Sequence, residues 1–164
     1  MTGKSHTGNP AWPAGQRAHT MPGQRVVNLL VRGLLRTPGP AAIVSGRLVI
    51  LYVVGRKSGR RYSVPAAYTA EGNDLLIGTS FGWGRNLRTG EPVAIRLKGK
   101  RRWADVQVSA KEPEVVLAYA HMAGVNPTFA KFSNIHVSED GEPDRHDLHL
   151  GSAGGARAIR LTPQ

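Results

Sequence analysis

The feature that most constrains the fold of this chain is a change in hydrophobic periodicity at Arg47. From there on, short apolar runs of strand length follow one another, separated by turn residues, in the stretches RLVILYVV, RYSVPAAYTA and DLLIGTS. The segment Glu71-Gly72-Asn73, between the last two runs, has the composition of a hairpin turn. We therefore predict a meander of three antiparallel strands between residues 47 and 80.

A second hairpin is predicted in the stretch EPVAIRLKGKRRWADVQVSA. Apolar and polar residues alternate there on both sides of a turn that we place at Gly99-Lys100. Such alternation is typical of antiparallel strands that bury one face and leave the other face to solvent. We therefore expect this hairpin to have one polar face.

Helices are predicted on either side of these strands. MPGQRVVNLLVRGLLRTPGP has an apolar stripe at helical spacing, and EPEVVLAYAHMAG has acids in its first turn and glycine at its end. A shorter helix is predicted over NPTFAKF, and ARAIRLTP is predicted to be a last strand after the polar, turn-rich segment SEDGEPDRHDLHLGSAGG. The order predicts an α+β fold, a small antiparallel barrel with an N-terminal amphipathic helix and a helix after the fifth strand.

Length and composition limit the organisation of the chain. A length of 164 residues predicts one domain, over residues 23–164, preceded by a flexible N-terminal arm over residues 1–22. The absence of cysteine excludes disulfides, thiolate catalysis and cysteine-ligated metal centres. Because no apolar run approaches the roughly 18 residues of a spanning helix, we expect a cytoplasmic protein. The basic amphipathic helix leaves peripheral membrane contact open.

Positive charge is concentrated in the first part of the chain. Ten of the 22 Lys and Arg residues lie within residues 1–70, where there is no acidic residue, whereas the remainder holds twelve basic and eleven acidic residues. This asymmetry predicts a face that attracts anions. Charge alone leaves several interpretations open: nucleic acid, an acidic lipid surface, a polyanionic small molecule, or a cationic surface that only keeps the chain soluble.

The densest cationic stretch is VGRKSGRRYSVP, directly after the first predicted strand. Arg56, Lys57 and Ser58 can present a guanidinium, an ammonium and a hydroxyl group, together with free backbone N–H groups, to one oxyanion. Phosphate is the natural ligand of such a loop. The spacing matches neither a Walker loop nor the dinucleotide fingerprint. The other interpretation is an ordinary Ser-Gly hairpin turn with solubilising charges.

A second stretch, IGTSFGWGRNLRTGEP, combines small residues, aromatic rings and arginines at a predicted strand end. Glycines let a flat ring approach the backbone closely, and Trp83 can stack on such a ring. The alternative is that Trp83 plugs one end of the barrel.

Together the two stretches resemble the split β-barrel family of deazaflavin-dependent nitroreductases, whose members use coenzyme F-420 as hydride donor. The resemblance covers about residues 26–109, and its motifs are Gly55-Arg56-Lys57-Ser58-Gly59, Pro65, Gly78-Thr79-Ser80, and Trp83 with Asn86-Leu87. It implies an antiparallel split β-barrel fold. It also implies an oxidoreductase that transfers a hydride from the reduced deazaflavin to an electron-poor small molecule, such as a quinone, an enone or a nitro compound.

The resemblance further implies which residues bind the coenzyme. Arg56, Lys57 and Ser58 would hold its phosphate. The ring and ribityl chain would lie along the next strand, against Tyr62, Ser63, Val64, Pro65 and Ala66. The pocket would be completed by Gly78, Thr79, Ser80, Trp83, Asn86 and Leu87. The phosphate and oligoglutamate tail of the coenzyme match the cationic N-terminal half, and family members of this barrel type occur as monomers or homodimers.

Other functions remain open at this point. The chain could be an FMN-binding reductase or oxidase of the same fold, or a cofactor-free biosynthetic enzyme built on it. It could also be an anion-binding or nucleic-acid-binding module without chemistry. Nucleic acid recognition would require aromatic residues interleaved with basic ones, and only Tyr62 and Trp103 fit weakly, so no nucleic acid partner is expected.

No catalytic residue is assigned from the sequence, because the coenzyme itself supplies the hydride. Tyr62, Tyr68, Tyr119 and His121 are the candidates for a proton donor. The stretch RHDLH, at residues 145–149, offers histidines that a strand-type metal site could use. We expect no metal there, because no third or fourth ligand follows at a recognisable spacing.

Overall fold

Seven antiparallel strands form one sheet in a computed structural model, which describes residues 47–164. The strands are β1 (Leu48–Val54), β2 (Arg61–Ala67), β3 (Thr69–Glu71), β4 (Asp74–Thr79), β5 (Val93–Leu97), β6 (Lys100–Ser109) and β7 (Arg157–Pro163). The helices are a 3₁₀-helix (Gly82–Asn86), α1 (Glu112–Val125), α2 (Pro127–Phe132) and α3 (Arg145–Ala153). The predicted N-terminal arm and amphipathic helix lie outside the described residues.

The sheet curls because its two edge strands are formed by one stretch of chain. The strand order is β2-β1-β5-β6-β7-β4-β3, and only Tyr68 separates β2 from β3. The predicted second strand therefore changes partner at Tyr68, from β1 to β4. As a result, six strands rather than five precede α1, and the sequence prediction counted one too few. The curled half-barrel confirms a mixed architecture of helices and antiparallel strands.

Two-residue turns close the predicted hairpins. Gly72, with a φ of 58°, lies in the β3–β4 turn, as predicted. In the β5–β6 hairpin the turn residues are Lys98 and Gly99, with φ of 48° and 79°, and Leu97 pairs with Lys100. The turn thus begins one residue earlier than the predicted Gly99-Lys100. Positive φ at both turn positions gives the twist that a two-residue hairpin favours.

The inner face of the curled sheet encloses the main core. Alternate residues of β1 point inward, so that Val49, Leu51 and Val53 are fully buried, and they meet Ile95 of the neighbouring strand β5 and Leu161 of β7. Burial of side chains of this size stabilises a fold by about 1.5–3 kcal/mol each. The interpretation of this stretch as a buried strand is therefore confirmed, although its continuous apolar run did not indicate which face points inward.

A second core lies between the outer face of the sheet and the helices. Val115 and Met122 of α1 are almost completely buried there, against Leu76 of β4 and Ala158 of β7. Leu148 of α3 joins the same cluster. Because β4 is covered on both faces, three successive residues of this strand are buried. Within residues 47–164, no helix is long and apolar enough to cross a membrane.

The segment predicted to be a polar turn contains α3. Its first turn is capped by Asp144, whose carboxylate accepts a hydrogen bond from the Asp147 N–H at 3.0 Å. The prediction was wrong for residues 145–153, because a single buried Leu148 and a capping aspartate suffice to fix this short helix when α1 lies beside it.

Candidate functional site

The cationic stretch recognised in the sequence forms a tight hairpin loop between β1 and β2. The Gly55 N–H donates to the Arg60 carbonyl at 2.7 Å, and the Gly59 N–H donates to the Gly55 carbonyl at 2.8 Å. Gly59 adopts a φ of 64°, and a Cβ at Gly55 would lie 2.7 Å from the Ser58 hydroxyl oxygen. Both glycines are therefore required by the loop's own geometry.

Arg56 fastens this loop to the 3₁₀-helix. Its backbone N–H donates to Oδ1 of Asn86 at 3.1 Å, and its guanidinium Nη1 donates to the carbonyl oxygen of Arg85 at 2.9 Å. These contacts join the two sequence stretches that carry the resemblance. Arg56 therefore has a structural task in addition to the charge it contributes.

The structure corrects one detail of the predicted phosphate loop, namely its free backbone donors. The N–H groups of Gly55, Arg56, Gly59 and Arg60 all donate to acceptors within the protein. Among the described residues, the donors of this loop without a hydrogen bond are the backbone N–H groups of Lys57 and Ser58, the Lys57 ammonium and the Arg60 guanidinium, and the last of these lies outside the cleft lining. An oxyanion at the loop would therefore be bound at its tip, around Lys57.

Ser58 is partly committed to the loop itself. Its hydroxyl oxygen accepts from the Arg60 N–H at 3.3 Å and lies 3.2 Å from the Tyr62 hydroxyl. Tyr62 is the one candidate proton donor, of the four named from the sequence, that lies at this loop.

A wide cleft opens between the hairpin loop and the 3₁₀-helix, with a volume of about 1240 Å³. Its wall carries five cationic side chains and one acidic side chain, belonging to Arg56, Lys57, Arg61, Arg85, Arg88 and Glu91. Glu91 lies 3.7 Å from Arg88 in an exposed ion pair. The cleft thus has a clear excess of positive charge, and three of its five cationic residues lie within residues 1–70, the part of the sequence in which positive charge is concentrated.

The cleft brings together eight of the fourteen residues that the sequence assigned to a cofactor. They are Arg56, Lys57, Ser58, Tyr62, Val64, Trp83, Asn86 and Leu87. Six others lie outside its lining: Ser63, Pro65, Ala66, Gly78, Thr79 and Ser80. The cleft is also lined by three residues that were not assigned to a cofactor from the sequence: Arg61, Arg85 and Arg88. Their position in cationic, glycine-rich stretches is the sequence signal that could have identified them.

Two of the six residues outside the cleft have structural contacts of their own. A Cβ on Gly78 would lie 2.6 Å from the Phe129 ring and 2.9 Å from the Tyr119 ring, so this glycine lets α1 and α2 pack against β4. Thr79 is buried, and its hydroxyl accepts from the Phe81 N–H at 3.1 Å. Thr79 thereby supports the start of the 3₁₀-helix from behind the cleft wall.

Trp83 occupies the inner end of the cleft. Its ring packs against the barrel core, while its indole Nε1 is buried and has no hydrogen-bond partner within residues 47–164. A buried unpaired donor costs about 1–3 kcal/mol. Two interpretations of Trp83 were drawn from the sequence, a plug at the barrel end and a residue that stacks on a flat ring, and both agree with this position.

Comparison with known proteins gives only distant similarities. No model of a protein family and no curated protein matches the sequence. Among solved structures, the chain is similar to a proposed 5-nitroimidazole antibiotic resistance protein from Bacteroides thetaiotaomicron, with 10% identity, 76% of each chain covered and a TM-score of 0.46. It is also similar to a protein described as a domain-swapped dimer, with 15% identity, 86% of this chain and 99% of that chain covered, and a TM-score of 0.44. Both scores lie below 0.5, so no family follows from them.

The remaining candidate proton donors lie away from the cleft. Burial raises the pKa of Tyr119 to about 12, and its hydroxyl lies 3.5 Å from the Arg157 carbonyl oxygen. His121 lies 3.0 Å from Glu71, and neither residue lines the cleft. Tyr68 is buried in the barrel core. Within residues 47–164, no three His, Asp or Glu side chains lie close enough together to bind a metal ion.

The cleft continues from the loop onto the outer face of β1, β5 and β6. Tyr52 pairs with Ala94, and Ala94 pairs in turn with Trp103, so the three residues form one row across the sheet. All three line the cleft, and Trp103 remains 52% exposed. Trp103 was recognised from the sequence as an aromatic residue among basic ones, but Tyr52 was missed, because the order of the strands in the sheet is needed to place the two rings together.

Proposed function

We propose that this protein is an oxidoreductase that binds the deazaflavin coenzyme F-420 and transfers a hydride from it to an electron-poor small molecule. The observation that carries the proposal is the cationic cleft itself. Two stretches, about thirty residues apart, are held together by the hydrogen bonds of Arg56 to Asn86 and Arg85 around this one opening. We further propose that the protein acts in the cytoplasm, as a monomer or a homodimer.

The residues present fit the chemistry of a phosphorylated, flat coenzyme. Lys57 and the unbonded N–H groups of Lys57 and Ser58 suit a phosphate at the loop tip, since charge-assisted and main-chain donors can share one oxyanion. Ligand pockets usually have volumes of about 300–1,000 Å³, so a cleft of about 1240 Å³ has room for the coenzyme and an acceptor. The buried indole N–H of Trp83 is a donor that a polar ring edge could use after a small shift.

The bound deazaflavin would supply the hydride, that is, two electrons and one hydrogen nucleus. A quinone acceptor that gains this hydride needs one further proton to become a hydroquinone. Tyr62, whose hydroxyl lies at the cleft beside Ser58, can pass such a proton from solvent. The walls around Trp83 and Leu87 would keep water away from the reacting atoms, and the cationic loop would hold the acidic end of the coenzyme.

Direct titration tests this proposal. Purified full-length protein is titrated into oxidised F-420 at low salt, and the coenzyme fluorescence is followed. We expect a dissociation constant on the order of a micromolar or tighter, and a loss of affinity as salt is raised, because the cationic loop contributes through charge. No binding at low salt would overturn the proposal. A yellow protein as isolated, with tight FMN and no F-420 binding, would instead favour the flavin reductase.

A matched pair of variants localises the phosphate. Lys57→Ala removes the ammonium group at the loop tip, and Arg60→Ala removes a neighbouring cation of the same loop that does not line the cleft. We expect Lys57→Ala to weaken binding by about tenfold, the value of a charged hydrogen bond of about 1.4 kcal/mol. Arg60→Ala is expected to have less than a threefold effect. Equal losses would show that only overall charge matters.

A further inference from the structure

The outer row of Tyr52, Ala94 and Trp103 is an aromatic surface without a task in coenzyme phosphate binding. A tryptophan that is 52% exposed is unusual on a strand, because its large ring gains most from burial. Within the described part of the chain, the Trp103 ring makes no ring–ring or cation–π contact. Ala94, between the two rings, is small and leaves a shallow trough.

The spacing of this row suits a flat ligand. Tyr52 and Trp103 lie two strands apart, which is about 10 Å at the backbone, since neighbouring strands are about 4.8 Å apart. One planar ring lying over Ala94, at van der Waals distance from an aromatic side chain on each side, would fill such a gap.

The charges around the row select for an anion. The Arg101 guanidinium lies 5.0 Å from the centre of the Tyr52 ring, and Arg101 pairs across the strands with Arg96. The strands β1, β2, β5 and β6 contain one acidic residue, Asp105. Its carboxylate accepts a hydrogen bond from Gln164 at 2.8 Å. On the outer face of β6, Arg101 precedes Trp103 by two residues and Asp105 follows it by two, so the anionic group of a ligand is placed on the Arg101 side of the row.

We propose that the row of Tyr52, Ala94 and Trp103 is the acceptor subsite of the cleft, and that it takes a planar aromatic compound with an anionic substituent. This inference rests on the proposed function, because the coenzyme would occupy the other end of the same cleft. The ring of the acceptor stacks on Trp103, and its anionic group lies at Arg101. The continuity of the cleft from Trp83 to Trp103 places acceptor and coenzyme side by side.

Two inert probes with the same ring test the subsite without any reaction. Naphthoate carries an anionic group, and naphthalenemethanol is its neutral counterpart. Calorimetric titration of the full-length protein is expected to give naphthoate binding at least fivefold tighter than that of naphthalenemethanol. Trp103→Ala should weaken naphthoate binding by about tenfold, in the range found for removal of one stacking ring, and Trp103→Phe should retain most of it. Arg101→Gln should abolish the preference for naphthoate.

Controls separate this inference from the proposed function. Phe132→Ala removes another half-exposed aromatic ring, 47% exposed, on α2, outside the cleft, and should leave both probes unaffected. Each variant is also titrated with F-420, whose affinity should change less than threefold. If F-420 binds normally but Trp103→Ala does not alter naphthoate binding, the subsite is overturned while the proposed function stands. Displacement of naphthoate by F-420 would also overturn it, since the coenzyme ring would then occupy the row.

Other occupants of the row lead to different results. A second copy of the chain would produce a dimer that Trp103→Ala dissociates, measured by sedimentation. A single-stranded oligonucleotide would bind with a steep salt dependence that Trp103→Ala reduces. Either result, with no binding of naphthoate, would overturn the acceptor subsite.

Discussion

The backbone N–H of Arg56 donates to Oδ1 of Asn86 at 3.1 Å, so a residue of the β1–β2 loop is held by one that lies thirty positions later in the chain. The contact is local in space but long-range in sequence, and it fixes the width of the cleft. Asn86 therefore controls the position of the loop without supplying charge to it.

Two substitutions of Asn86 separate loop position from charge. Asn86→Ala removes the acceptor and should lower the stability by about 0.5–1.5 kcal/mol, the usual net value of a hydrogen bond. Asn86→Asp keeps an acceptor oxygen and should retain stability, while it adds a negative charge to a cationic cleft. We therefore expect Asn86→Asp to weaken F-420 binding more than it alters urea unfolding. If Asn86→Asp unfolds as easily as Asn86→Ala, the acceptor role is wrong.

Trp83→Phe tests the unpaired indole nitrogen. The substitution removes a buried donor that has no partner among the described residues, which recovers part of its desolvation cost, and it leaves a small space where the second ring was. These effects oppose each other, so we expect a net change in the free energy of unfolding below about 1 kcal/mol. Chemical denaturation measures it. A loss of more than about 2 kcal/mol would show that the N–H has an acceptor in solution.

Gly78→Ala should destabilise the packing of the helices on β4. The new methyl group would lie 2.6 Å from the Phe129 ring, a distance that forces the ring to move. Overpacking of this kind costs about 1–3 kcal/mol. The double variant with Phe129→Leu should recover part of the loss. Gly151→Ala, in α3 with open space around it, is the control and should be neutral or stabilising. Equal stability of the two alanine variants would contradict the close contact.

Acid should destabilise the protein partly through Asp74. Its carboxylate accepts from the Thr162 hydroxyl and from Arg160, each at 2.7 Å, and these bonds hold its pKa below the ordinary value of 3.8. A lowered pKa means that its contribution to stability is present above pH 3.8 and is lost as the pH falls below it. Urea unfolding between about pH 5 and pH 2 should show a weaker pH dependence in Asp74→Asn. Identical slopes would refute this role.

His136 should titrate above its ordinary pKa. Its ring Nδ1 lies 2.7 Å from the Asp147 carboxylate, and that hydrogen bond, together with the charge of Asp147, raises the histidine pKa above 6.5. The contribution of this pair is therefore present below pH 6.5 and is lost as the pH rises through the raised pKa. Proton NMR of the His136 ring measures the titration. Asp147→Asn should return the pKa of His136 toward 6.5.

Strands, turns and inward-facing residues were predictable because they depend on local patterns. The alternation in β5 and β6 identified the buried positions of those strands, the apolar run of β1 identified a buried strand, and the cationic loop was placed correctly between β1 and β2. The strand order was not predictable, since the change of partner at Tyr68 depends on curling of the whole sheet. For the same reason Tyr52 was missed, although it lies two strands from Trp103.

The candidate site shows the same limit. The sequence grouped Gly78 with the cofactor residues because small residues at a strand end suit a ring, whereas the structure gives this glycine a contact with Phe129. Whether a small residue faces a ligand or a helix depends on which face of β4 the helices cover. That choice is made by packing between elements far apart in the chain, such as α1 and β4.

Pro65 lies at the middle of β2, an edge strand, opposite Ile50 of β1. A proline is tolerated there because the missing N–H faces away from the neighbouring strand. The row of donors that β2 offers to its surroundings is consequently interrupted, so a strand from another molecule cannot extend the sheet continuously along this edge. Along that edge the protein is thus protected from polymerising strand by strand, and a partner that lies against it associates through side chains.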